Sequence, residues 1–80
     1  MKNEMKNKIK VVENFNGYKV YKIVQKGEVA FYRCSNYITN VGWEIDEMIY
    51  DEDFGYVYEA SHMWCPTLKE CKSALLVMAD

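Results

Sequence analysis

Thr67-Leu68-Lys69-Glu70-Cys71-Lys72-Ser73-Ala74-Leu75-Leu76-Val77-Met78 is the stretch whose reading decides the fold. Thr67 with Glu70 three positions on is a capping box: the hydroxyl accepts a backbone N–H of the first turn and the glutamate reaches back. Pro66 suits the entry to a helix. Leu68, Cys71, Leu75 and Met78 recur at steps of three and four, joined by Ala74. One apolar stripe therefore faces a partner, while Lys69, Lys72 and Ser73 face water. A helix of about three turns does not stand alone in water. The segments before it must supply the surface that it covers.

Those segments read as strands. The apolar, β-branched run Ile9–Phe15 leads into Asn16-Gly17, which predicts a type I′ hairpin, and Tyr18–Gln25 is the return strand. Lys26-Gly27 predicts a second two-residue turn, with a third strand over residues 28–34. Residues 35–42, with Asn36, Asn40 and Gly42, read as a loop. In residues 43–50, Trp43, Ile45 and Ile49 alternate with Glu44, Asp46, Met48 and Tyr50, with Glu47 the exception on the apolar side, which predicts a fourth strand; a helix over residues 41–50 competes, because Ile45, Met48 and Ile49 also fit helical spacing. Asp51-Glu52-Asp53 is a turn, and residues 56–60 are a fifth strand. The expectation is an α+β fold, an antiparallel sheet of four to five strands covered by one C-terminal helix. Residues 1–8 read as a flexible basic arm, and residues 9–80 as a single domain.

The two tight turns set the strand register, and register sets the faces. Phe15 opposite Tyr18 and Gln25 opposite Glu28 place Ile9, Val11, Phe15, Tyr18, Val20, Val24, Val29 and Phe31 on one face, which the helix is expected to cover. The other face collects Val12, Tyr21, Ile23, Ala30, Tyr32 and Cys34, with Lys10, Lys19, Gln25 and Glu28 among them. Its aromatic and aliphatic surplus is more than a solvated face usually shows, so Tyr21, Ile23 and Tyr32 are candidates for a homodimer face.

Eighty residues bury only about 60% of their unfolded surface, so the core is thin. Half of the residues are apolar and 28% charged, the balance of a globular chain rather than a disordered one. The longest apolar run, residues 74–79, falls far short of the roughly 20 that a membrane span needs, and the N-terminus has no signal-peptide core. A cytoplasmic protein is expected. In that reducing compartment Cys34, Cys65 and Cys71, odd in number and without framework spacing, read as small buried hydrophobes. Charge divides along the chain. Through Arg33, eight basic residues face three acidic ones; from Cys34 onward, two face nine.

Chemistry-bearing constellations are few. His62, Cys65, Cys71 and Cys34 offer zinc's ligand types without its spacing. His62 near Cys65 lacks the orienting third group of a nucleophile and base pair. The stretch 51–55 lacks the alternating oxygens and closing glutamate of a calcium loop, and there is no phosphate-cradling glycine motif. The expectation is a protein that is not an enzyme, without cofactor or metal. The remaining candidate is the acidic hairpin: Glu44, Asp46, Glu47, Asp51, Glu52 and Asp53 interspersed with Tyr50 and followed by Tyr56, Tyr58 and Glu59. Spaced carboxylates on a rigid aromatic surface can present charge as a phosphate backbone does and dock in a basic groove. The plainer reading is a solvated hairpin that keeps an edge from pairing. An alternative is direct nucleic-acid binding by Lys8, Lys10, Lys19, Lys22, Lys26 and Arg33.

The lysine-, asparagine- and tyrosine-rich start, the meander opening at Tyr18-Lys19-Val20-Tyr21 and the closing Thr67-Leu68-Lys69-Glu70-Cys71-Lys72 helix resemble small phage and prophage proteins, including anti-CRISPR proteins. The resemblance implies a protein that binds and blocks a bacterial nucleoprotein machine such as a CRISPR effector, in the host cytoplasm, without chemistry of its own.

Overall fold

The structure, a computed structural model, describes residues 9–36 and 41–79. Five strands, β1 (Ile9–Phe15), β2 (Tyr18–Gln25), β3 (Glu28–Ser35), β4 (Trp43–Asp51) and β5 (Gly55–Cys65), precede one helix, α1 (Leu68–Met78). The sheet is an antiparallel meander in the order β1-β2-β3-β4-β5. The helix lies on one side of it, and the smallest dimension, 20 Å, is that of one sheet layer and one helix layer. The fold is thus α+β, as the sequence indicates. The proposed arm, residues 1–8, lies outside the described residues.

Local chemistry accounts for the elements. Thr67 takes the N-cap with extended backbone, and its Oγ1 accepts the Glu70 N–H at 3.2 Å. Cys71 and Leu75 are fully buried, with Leu68, Ala74 and Met78 packed beside them, so the stripe read from spacing is the covering face. Lys26 and Gly27 have φ of 53° and 79°, as a type I′ turn requires. At the first hairpin only Gly17, φ 77°, is left-handed, and Asn16 is not. The type I′ expectation fails there: the Gly17 carbonyl accepts the Asn36 N–H at 3.1 Å, tying this turn to the end of β3. Residues 41 and 42 form a bend and Trp43–Asp51 a strand, so the helix alternative over residues 41–50 does not hold.

The helix covers the face opposite to the one expected. Tyr21, Ile23, Tyr32, Cys34, Ile45 and Cys65 form the core with Cys71 and Leu75, while Phe15 and Val29 are exposed. Two features reverse the assignment. The register steps between Val11 and Glu13, so Val12 is a bulge residue: Ile9 and Val11 pair with Ile23 and Tyr21, while Glu13 and Phe15 pair with Val20 and Tyr18. The apolar side of β4 also joins the Tyr21 face, because Cys34 pairs with Ile45 and Tyr32 with Glu47. Small Ala30 and Cys34 there leave room for the helix. The proposed dimer face is therefore internal: Tyr21, Ile23 and Tyr32 are 3%, 0% and 6% exposed and are covered by α1.

The open face also buries side chains. Val20 is 0% exposed and Met48 4%, although no helix covers them. Among the described residues, no helix is long and apolar enough to cross a membrane.

Candidate functional site

The β4–β5 hairpin parts from β3 at its tip end. Pairing between β3 and β4 ends at Phe31↔Met48, whereas β4 and β5 remain paired to Asp51↔Gly55. The last residues of this hairpin, like those of the β2–β3 hairpin beside it, are therefore paired with their own return strand alone, and this end of the β4–β5 hairpin forms an arm parted from β3. At its tip Asp51 Oδ1 accepts the backbone N–H groups of Asp53 at 2.8 Å and Phe54 at 3.1 Å. That Asx-type turn fixes the tip and leaves Glu52 and Asp53 exposed with Phe54 82% exposed. Among the described residues no lysine or arginine is paired with Glu52 or Asp53.

Tyrosines line the open-face side of the arm. Tyr50 and Tyr56 are cross-strand partners whose rings meet edge to face at 5.0 Å, and Tyr56 reaches Phe31 at 4.9 Å. Burial raises the Tyr56 phenol pKa, with smaller contributions from Tyr50 and from Glu13. Glu13 stands on β1, at the far edge of the sheet. Tyr58, 54% exposed, shares a hydroxyl contact of 3.0 Å with Ser61.

The ten proposed partner-binding residues do not form one surface. Tyr50, Glu52, Asp53, Tyr56, Tyr58 and Glu59 belong to the arm and remain accessible. Asp51 is committed to the turn. Asp46 is only 4% exposed: its Oδ2 accepts from Arg33 Nη2 at 2.8 Å, and the guanidinium lies within 6 Å of the Tyr18 and Tyr58 ring centroids, at 5.6 Å and 5.9 Å. This carboxylate is neutralised internally and is withdrawn from the site. The reason is register, since Arg33 and Asp46 are Cα partners. Glu47 faces the helix side beside Tyr32, with His62 Nδ1 4.0 Å from its Oε2. Glu44 is half-buried in the row of Ser35 and Trp64, away from the tip.

Phe54, Phe31 and Trp64 were not read as site residues from sequence. Phe54 carried a signal, because a phenylalanine inside a turn of acids has nothing to be buried against. Trp64 is 50% exposed, with Nε1 donating to Val41 O at 2.8 Å.

The basic residues of the N-terminal half are dispersed. Lys10 and Lys22 pair on the open face, and Lys19 projects to the other, donating to Asn14 Oδ1 at 2.7 Å. Lys26 occupies a turn and Arg33 is paired with Asp46, while Lys8 lies outside the described residues. The cysteines are free and buried. Burial raises the pKa of the Cys34 thiol to about 12 and also raises that of Cys71. Among the described residues, no three His, Cys, Asp or Glu side chains are gathered so as to hold a metal. Comparison of the chain with protein-family models, curated proteins and solved structures yields no match.

Proposed function

We propose that this protein is a stoichiometric, non-enzymatic binder that places the β4–β5 arm in a basic cleft of a bacterial nucleic-acid-handling complex, a CRISPR effector being the candidate that the resemblance implies. The observation that carries this reading is the arm itself. Among the described residues, it pairs beyond Met48 with its own return strand alone, and it ends in an 82%-exposed phenylalanine beside Glu52 and Asp53, with which no described lysine or arginine is paired. Aromatic anchors surrounded by charge are what interface hot spots are made of. Exposed carboxylates oppose lysines and arginines that otherwise receive phosphate. The dispersal of Lys10, Lys19, Lys22 and Lys26 over both faces and a turn speaks against direct nucleic-acid binding, which needs one continuous basic footprint.

The test reverses Glu52 and Asp53 to lysine and truncates Phe54 to alanine, leaving Asp51 in place because it holds the turn. Wild-type protein is expected to capture a nucleic-acid-binding protein from bacterial lysate and to displace its DNA or RNA at a one-to-one ratio. The E52K/D53K/F54A variant, with an unchanged circular dichroism spectrum, is expected to do neither. Capture that survives these changes refutes the reading.

A further inference from the structure

Where β3 and β4 part, the sheet contains a notch. Both strands continue beyond Phe31↔Met48, β3 over Glu28, Val29 and Ala30 and β4 over Ile49, Tyr50 and Asp51, each paired to its outer neighbour alone. In an antiparallel sheet successive residues turn their backbone groups to opposite sides. Of any two adjacent residues along each inner margin, one therefore directs its N–H and C=O into the gap. The gap is a cavity of about 160 Å³ whose walls include Val29, Phe31, Met48 and Ile49, with Glu47 and Glu59 among its lining residues.

Three features define what fits. The volume is close to the roughly 150 Å³ that holds a single benzene, so the notch takes one side chain, not a peptide strand. Apolar walls joined to two carboxylates match an aliphatic stem with a cationic head; a purely apolar guest would strip water from the carboxylates without return. Glu59, moreover, is the extra residue of a bulge, since the register steps between Glu47↔Ala60 and Met48↔Tyr58. Bulges re-aim side chains, and this one brings Glu59 to the same cavity as Glu47. His62, at 4.0 Å, is beyond hydrogen-bonding distance of the Glu47 carboxylate.

The geometry points to an arginine receptor: the notch accepts one arginine side chain of the protein partner, its stem between Ala30 and Ile49 and its guanidinium bridging Glu47 and Glu59. A planar fork of donors spans two carboxylates as a lysine ammonium does not. This inference rests on the reading that the arm engages a basic protein, and it names the group engaged.

The test titrates the isolated full chain with the peptide acetyl-Ala-Arg-Ala-amide while backbone amide and methyl NMR signals are followed. Saturable shifts of Val29, Ala30 and Ile49 are expected at about millimolar peptide, the range for a single side-chain contact. The isosteric citrulline peptide and an E47Q/E59Q variant, whose remaining spectrum should be unchanged, are each expected to weaken binding at least about tenfold. Absence of saturable shifts, or equal shifts from the citrulline peptide, overturns the inference. It does so without touching the arm reading, which is decided by capture with E52K/D53K/F54A.

Discussion

Asp46 shows how far one residue can depart from its surface appearance. By alternation it belongs with Glu44 and Met48 on the polar side of a strand, yet it is nearly buried and held by Arg33 between two tyrosine rings. Removing one member of a buried pair leaves the other charged and dry, which costs about 3 kcal/mol. Asp46→Asn is therefore expected to lower stability by about that amount, read as a shift of the urea midpoint, and to leave partner capture by the arm intact. A change within a few tenths of a kcal/mol, the scale of a surface charge, would place Asp46 back among the solvated acids. Nothing within the strand announces its partner. Arg33 is thirteen positions away across a loop, and only the β3–β4 register brings the two together.

At the level of the element, the helix and the hairpins were legible because their determinants are local. The cap is three residues from the group it satisfies, and the stripe is a property of one segment. Thr67→Ala, which removes the acceptor for the Glu70 N–H, is expected to cost about 1 kcal/mol. Thr67→Ser is expected to restore most of it, both measured by urea unfolding. The bulge in β1 was not legible. Ile9, Val11 and Val12 are apolar on both parities, and a bulge at Val12 changes which of them turns inward without changing composition. The same holds for β5, where two register steps bring Glu59 toward Glu47 and part it from simple alternation. The acidic, tyrosine-rich content of the arm was visible in the sequence. Its freedom from β3 was not, because strand length says nothing about where pairing with a neighbour stops.

For the whole molecule, the thin core concentrates three thiols and a tyrosine beneath one helix. Burial first, then the neighbouring Cys34 and Cys71, raise the Tyr21 pKa from 10.0 to about 12; burial first raises the Cys34 pKa from 9.0 to about 12. The folded chain thus holds these protons more tightly than the unfolded one. Their contribution to stability is complete below the unfolded values near 9 and 10 and is lost as pH rises toward about 12. The urea midpoint is expected to fall steadily with pH above 9, and Tyr21→Phe, which removes one of these titrations, is expected to make the fall shallower. A midpoint independent of pH across that window would mean that these groups ionise without opening the core. Spacing along the chain alone indicated the order of strands, the positions of the two tight turns and the capped helix, since each is decided within about a dozen residues; β5, read over residues 56–60, runs from Gly55 to Cys65 because its pairing with β4 continues to Trp43↔Cys65. Which sheet face the helix covers, which acids survive as surface and where the arm separates from the sheet were decided only by tertiary structure. The physical reason is that a strand's side chains alternate with a period of two, so one bulge or one cross-loop register reverses a face at no cost in composition.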